Sequence, residues 1–406
     1  MTERHRRVLI YSHDTFGLGH LRRCRAIAHA LVEEDKDLSV LILSGSPIIG
    51  SFDFRARVDF VRVPGVIKLR NGEYTSLNLH IKIEETLEMR ASIMRHTAEI
   101  FDPDLFIVDK EPLGLRGEVV PTLDLLRRRG APIVLGLRDV MDEPAQLGDE
   151  WSRKKVVPAL RKYYDDIWVY GLPQICDPLE GIEVPESVRR RMTYTGYLER
   201  STAAPSARLG DLGEEPFLLV TPGGGGDGDG LVDWVLQAYE HDPQLPHRAL
   251  IVLGPFMQPE LQAEFTARGS ALLPKVKVIT FDARLESLMA RADGVVAMGG
   301  YNTFCEILSF DKRALIVPRT QPRLEQYIRA ARAQELGLVR MLIDDQARDP
   351  RVMATALRQL PQQSPPSQVV VPGLLDGLES VNRLARKWLM RPRRQNRTPV
   401  AALLGR

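Results

Sequence analysis

Short runs of uninterrupted apolar residues alternate along this chain with longer stretches in which apolar positions recur every three or four residues. Residues 8–11 read as a strand buried on both faces. A glycine-bearing loop follows through His20, and residues 21–32 carry helical periodicity on Ile27, Ala28, Leu31 and Val32. The same β-loop-α alternation continues with strands predicted at 39–43, 58–63, 105–109, 133–137, 167–170 and 191–195, and helices at 83–100 and 119–129. Strands of this length, apolar throughout and separated by helices, belong in a parallel sheet covered on both faces. Ligands of such sheets sit at the carboxyl ends of the strands.

After Gly196 the pattern breaks at 201–207, a polar stretch of small residues with low structural propensity, and then restarts. Strands are predicted at 217–221, 249–253, 276–280, 294–297 and 314–317, with helices at 231–240, 259–268, 285–291, 302–309 and 323–336. The fold class expected is α/β: two doubly wound Rossmann-like domains facing across a cleft. Their expected bounds are 1–196 for the first domain, 197–214 for a linker, and 215–372 for the second domain. A last helix within 373–392, predicted at 374–390, is expected to pack back on the first domain, ahead of a basic tail at 393–406.

Composition narrows the class without deciding it. A chain of 406 residues exceeds what one hydrophobic core usually serves. A 44% hydrophobic and 27% charged content is that of a globular protein, and a net charge of +2 shows no bulk commitment to nucleic acid. Basic residues crowd the end of the chain, from Arg383 to Arg397, either as a solvated terminus or as a contact for anionic lipid. Cys24, Cys176 and Cys305 match no zinc spacing and form no disulfide framework, which fits a reducing compartment. The apolar run at 8–11 is cut by Ser12, His13 and Asp14 before a membrane span or signal core is complete, so a cytoplasmic protein is expected, with membrane association left open.

Candidate chemistry gathers in the loops after predicted strands. Gly299-Gly300 joins a strand to a helix that begins Tyr301-Asn302-Thr303 and carries Glu306. Paired glycines let a phosphate approach the backbone, and the helix start offers free N–H groups and positive dipole. Glu306 is placed to accept from sugar hydroxyls. The run Gly223-Gly224-Gly225-Gly226, continued by Asp227, Gly228 and Asp229, is a second diphosphate candidate. Its two aspartates either face water, cap the next helix or hold Mg²⁺. No metal is expected to be obligatory. Arg319 and Arg323 are candidates to neutralise phosphate, and Glu325 and Gln326 to meet sugar hydroxyls. In the first half, Gly17 and Gly19 flank Leu18 ahead of His20 as candidate donor-binding glycines, and His13 shares that loop. Either histidine is a candidate base, with Asp109 or Glu111 as carboxylate partner. Arg138-Asp139 either orients an acceptor or makes a structural ion pair.

These residues, in this order, resemble glycosyltransferases of the MurG type, family 28 of the GT-B class, most closely in the second half. The resemblance implies that Phe281-Asp282 meets the nucleobase, that Gly299-Gly300 leads the ribose-binding helix, and that Glu306 binds ribose. Glu325 and Gln326 fall where the family carries paired glutamines for the donor sugar, so Glu325 is a departure. The implied activity is inverting transfer of a hexosyl or N-acetylhexosaminyl group from a nucleotide sugar, UDP-linked, to a hydroxyl acceptor. A lipid-linked acceptor with peripheral membrane contact is an extension of it. The alternatives are a nucleotide-sugar 2-epimerase or hydrolase of the same fold, and a non-catalytic nucleotide-sugar-binding protein. Between residues 44 and 195 only the fold pattern is shared. Two apolar segments there, Pro47 to Phe54 and Val66-Ile67, either touch a membrane or fold into the core.

Overall fold

The computed structural model describes residues 5–13, 19–69, 73–201, 215–224, 226–282 and 284–391. The described residues of 1–172, 178–198 and 376–391 form one compact unit, and those of 173–177 and 199–375 a second.

In the first unit, strands β1 (Arg6–Ser12), β2 (Leu38–Ser44) and β3 (Val58–Arg62) are followed by a small antiparallel hairpin, β4 (Val66–Lys68) with β5 (Tyr74–Ser76). Strands β6 (Leu105–Asp109), β7 (Ile133–Arg138), β8 (Asp166–Tyr170) and β9 (Met192–Tyr194) complete the sheet. Its order is β3-β2-β1-β6-β7-β8-β9, parallel throughout. Helices α1 (Gly19–Glu34), α2 (Ile83–Phe101), α3 (Val120–Arg129), α4 (Pro144–Arg153), α5 (Val156–Tyr163) and α6 (Glu186–Arg189) connect the strands. Strands β6 and β8 are buried at every position, which is why they read as unbroken apolar runs.

The second unit repeats the plan. Strands β10 (Phe217–Thr221), β11 (Arg248–Val252), β12 (Val276–Ile279), β13 (Gly294–Ala297), β14 (Arg313–Ile316) and β15 (Arg340–Met341) form a parallel sheet in the order β12-β11-β10-β13-β14-β15. Helices α7 (Asp229–His241), α8 (Pro259–Ala271), α9 (Leu285–Arg291), α10 (Tyr301–Ser309), α11 (Glu325–Glu335) and α12 (Pro350–Gln359) cover it. The last helix, α13 (Gly377–Leu389), belongs to the first unit, where it packs on α1 and its Trp388 Nε1 donates to Asp166 Oδ2 at 3.3 Å.

In both sheets the chain builds outward from the first strand in one direction and then reverses, so each has a switch point between its first and fourth strands. A ligand crevice opens there because the two adjacent loops leave in opposite directions. In the first unit the switch lies between β1 and β6, and in the second between β10 and β13.

The α/β class and the parallel sheets agree with the periodicity. Seven elements were not expected: strands β4 and β5, helices α4, α5, α6 and α12, and the two-residue strand β15. Helix α11 begins at Glu325 rather than at 323, and α13 at Gly377 rather than at 374. The two apolar segments near the hairpin are folded in: Ile49 and Val66 are buried, Phe54 packs on His29 and Phe60, and Arg25 lies over Phe52. No helix among the described residues is long and apolar enough to cross a membrane.

Candidate active site

The carboxyl end of β1 delivers His13, the first turn of α1 delivers His20, and the last residue of β6 is Asp109. Strands β1 and β6 are neighbours, so residues 89 apart in sequence meet. His20 Nδ1 stands 2.5 Å from Asp109 Oδ2. Arg23 donates to the same carboxylate from Nε to Oδ1 and from Nη2 to Oδ2, both at 2.7 Å, and its Nη2 also lies 3.1 Å from His20 Nδ1. Arg23 and Asp109 are each 2% exposed, so this fork is an enclosed, charge-assisted pair. Asp109 is held ionised and can only accept, so Nδ1–H donates to it and the Nε2 lone pair is left to meet a hydroxyl.

His13 is held in a parallel way through an intermediary. Its Nδ1 is 3.0 Å from the Tyr11 hydroxyl, which donates to Glu118 Oε1 at 2.7 Å. Arg90 clasps that carboxylate from Nε at 2.5 Å and Nη2 at 2.8 Å. The two imidazoles face each other edge-on, with centroids 5.5 Å apart.

Burial is the main influence on both histidines. It takes His20 down to about 4, where Asp109 opposes it and Arg23 and Lys110 add to it. His13 falls to about 3, again mainly through burial, against the pull of Glu111. Burial pushes the Asp109 carboxyl up, but Arg23 and His20 outweigh it and hold the group well below the usual carboxylate range. Glu111 goes to about 2 because Lys110, His13 and Lys154 overcome its own burial. Both imidazoles are therefore neutral at pH 7, the state a general base needs.

This has a consequence for stability. Above pH 6.5 the histidines are neutral whether folded or unfolded and contribute nothing to the pH dependence. Below it the unfolded chain takes up protons that the folded chain refuses, so stability falls as pH drops from 6.5 towards 4. The expected loss is on the order of 2–3 kcal/mol per imidazole by pH 4. Thermal melts across that range check it, and a His13→Gln/His20→Gln chain should show a flatter profile.

In the second unit the loop after β10 holds Gly223, Gly224, Gly226 and Asp227, and the loop after β13 holds Met298, Gly299 and Gly300. Because β10 pairs with β13, the two loops lie side by side at the switch point. Gly223 adopts a φ of +85°, and Gly254, after β11, packs so tightly on it that a Cβ would come within 2.6 Å of the Gly223 carbonyl oxygen. Gly299 has a φ of +78°, and buried Arg329 of α11 donates to its carbonyl oxygen at 2.9 Å. Gly300 caps α10 with no side-chain hydrogen bond, and a Cβ there would meet nothing within 4 Å. The start of α10 thus opens onto unfilled space beside the glycine run.

Arg319, in the loop after β14, reaches both Asp227 and Glu325. It ties the glycine run to the start of α11. Capping gives way to this ion pair for Asp227, since α7 is capped by Gly228 without a side-chain bond. Asp229 is exposed in the first turn of α7, where its charge suits the dipole. Arg319 N donates to Gln326 Oε1 at 3.1 Å, so the oxygen of that amide is engaged internally. Arg323 is half-buried in the loop before α11. Asn302 Oδ1 accepts from Arg200 at 2.9 Å, and the Arg329 guanidinium lies 5.8 Å from the Tyr301 ring centroid. Thr303 is buried, and Glu306 has no exposed surface at all. At the end of β12, Phe281 is 45% exposed and Asp282 accepts from Arg284 N at 2.7 Å.

Residues 220–368, which carry every one of these second-unit loops, match the family model described as the glycosyltransferase family 28 C-terminal domain. A Methanosarcina acetivorans protein described as an uncharacterized glycosyltransferase is 24% identical over 399 residues, covering 91% of this chain and 96% of its own. The chain is a glycosyltransferase. Among solved structures, this glycosyltransferase is similar to Phytolacca americana UGT2 complexed with UDP-2fluoro-glucose and pterostilbene, with a TM-score of 0.65 and 14% identity over 94% of this chain and 99% of that one. Acinetobacter baumannii MurG matches with a TM-score of 0.56 and 13% identity, over 94% and 99% of the two chains. Identities this low establish the GT-B fold. The MurG-type resemblance holds at the level of the GT-B fold, which the plant enzyme shares, and of the family 28 carboxyl-terminal domain match over residues 220–368.

Two predicted site residues of the glycosyltransferase, Gly17 and Gly225, lie outside the described residues. Gly19 opens α1 next to His20. Sequence reading missed Arg23, Tyr11, Arg90 and Glu118 behind the histidines, and Gly254, Arg200 and Arg329 around the glycine loops. Only Arg23 carried a signal, its spacing of three from His20 on one helical face. Asp139 turns out to be structural: it has no exposed surface and accepts from the Tyr197 hydroxyl at 2.7 Å.

Proposed function

We propose that the enzyme moves a hexosyl or N-acetylhexosaminyl group from a UDP-sugar to a hydroxyl acceptor with inversion, binding donor in the second unit and activating acceptor in the first. The observation that carries this reading is the largely buried imidazole of His20, backed by the Asp109 carboxylate at a strand-end switch point. In the proposed reaction His20 Nε2 takes the acceptor's hydroxyl proton as the oxygen attacks the anomeric carbon. The bond to the diphosphate oxygen breaks, and the pyrophosphate leaves as UDP. Backbone N–H groups at Gly223, Gly224 and Gly300, with the dipole of α10, stabilise the charge that develops on it. In this reading Glu325, exchanging its pairing with Arg319, and the amide N–H group of Gln326 meet sugar hydroxyls at the start of α11, and Phe281 offers an exposed ring at the strand end assigned to the base. The Phytolacca americana structure, solved with UDP-2fluoro-glucose, supports the choice of nucleotide.

A thermal-shift panel of UDP-, dTDP- and GDP-sugars tests the donor assignment, because a ligand at 100 times its dissociation constant stabilises by about 2.7 kcal/mol. The expected result is a rise with UDP-sugars. No shift with any nucleotide sugar would remove the reading. UDP release at full rate without any alcohol acceptor would instead favour a hydrolase.

Glu306 is assigned to the ribose hydroxyls. Since it is enclosed, that role requires a side-chain rotation when donor arrives. Glu306→Gln is expected to weaken UDP binding by about 1–3 kcal/mol in calorimetry. A lowered melting temperature with unchanged affinity would make Glu306 a core residue only. A lipid-linked acceptor is the extension that the exposed Leu69 and the cations of α13 support. It predicts flotation with anionic vesicles at low salt, and no flotation at any salt would remove it.

A further inference from the structure

The His20–Asp109 contact poses an electrostatic question. A carboxylate 2.5 Å from an imidazole ordinarily stabilises imidazolium, which is useless as a base. Among the described residues, the groups that face this pair include His13 at the end of β1, Arg23 of α1, Lys110 directly after β6, and the buried Tyr170 phenol of β8. Lys110 is matched by Glu111 at 3.8 Å, and Glu111 also meets Lys154 at 3.1 Å. Arg23 is in direct contact with Asp109 through both carboxylate oxygens, and its Nη2 lies 3.1 Å from His20 Nδ1.

We propose that Arg23 is a positioning residue for the reaction: it closes a buried His20–Asp109–Arg23 cluster whose charges sum to zero, and so keeps His20 an unprotonated base oriented by Asp109. This rests on the reading of His20 as the base. With Arg23 present, adding a proton to the cluster creates a net buried positive charge. Without it, the anionic Asp109 and neutral His20 carry a net negative charge, and a proton restores neutrality. Burial magnifies both effects, since Arg23 and Asp109 are almost wholly enclosed. The arrangement behind His13 has the same sum, Arg90 neutralising Glu118 through two donors while Tyr11 relays the contact. Arg23 cannot itself act as the base, because a guanidinium stays protonated throughout.

The test follows the His20 ring by NMR in the full chain carrying ¹³Cε1-histidine, with the resonance assigned by its loss in His20→Gln. Wild type should keep His20 neutral until pH falls to about 4. In Arg23→Met the midpoint should rise by about two pH units or more, and the acid limb of donor turnover should move with it. Arg23→Gln, which retains hydrogen bonds to Asp109 without the charge, carries the same expectation if the methionine chain does not fold. Arg23→Met/Asp109→Asn returns the cluster to neutrality, so its His20 midpoint should fall back towards the wild-type value. An unmoved midpoint in Arg23→Met or Arg23→Gln would reduce Arg23 to a packing residue. A wild type that binds no nucleotide sugar but shows the shifted titration would remove the transfer reading while leaving the hold of Arg23 on His20 intact.

Discussion

Replacing His20 with alanine is expected to lower kcat/KM for transfer by about 10²- to 10⁴-fold, the range a positioned general base supplies. UDP affinity should stay within about a factor of three, because His20 belongs to the first unit and no donor contact is assigned to it. The substitution removes a partner of Asp109 but leaves the Arg23 fork, with both its 2.7 Å bonds, so the carboxylate stays paired and the fold should survive. UDP release from the donor, with an added alcohol supplying the nucleophilic oxygen, measures the effect. A chain that keeps more than a tenth of wild-type turnover would shift the base to His13, whose Nδ1 is tethered to Tyr11 in the same manner.

Gly300→Val is expected to abolish UDP binding while sparing the fold. The backbone of Gly300, at φ −57° and ψ 151°, is a conformation that valine adopts, and a Cβ there meets nothing within 4 Å. Folding therefore has no reason to object. A diphosphate approaching the start of α10 would use that same space, and an isopropyl group in it forces the phosphate away from the N–H groups. The expected loss is at least about 100-fold, or roughly 2.7 kcal/mol. Gly299→Ala makes a useful contrast, since its φ of +78° and the Ile316 side chain 2.8 Å from the added Cβ predict a loss of stability as well. Unchanged UDP affinity in a well-folded Gly300→Val chain would place the diphosphate elsewhere.

Strands buried on both faces were the most legible part of the fold. Residues 217–221 and 294–297 are read to the residue because every side chain in them is apolar or, like Thr221, tucked against the sheet. Helices α4 and α5 escaped because α4 buries only Leu147 and Trp151, one turn apart, and proline and glycine punctuate the segment. Helix α12 is equally sparse, burying Met353, Ala354 and Leu357. The site was legible as loops and not as a constellation. That His13 and Asp109 lie at strand ends follows from the apolar runs before them, but their proximity depends on β6 docking beside β1, which no local pattern encodes. The same holds for Arg319 reaching Asp227 across 92 residues. A buried arginine such as Arg23 or Arg329 is spelled like an exposed one, and only the folded chain separates them.

Transfer depends first on a nucleotide-sugar site at the β10–β13 switch point. Titration calorimetry of UDP into the full chain and into Gly300→Val probes that site. Saturable one-to-one binding to the first and none measurable to the second, with equal melting temperatures, is the expected result. Equal affinity of the two chains, or no binding of UDP to the wild type, would contradict it.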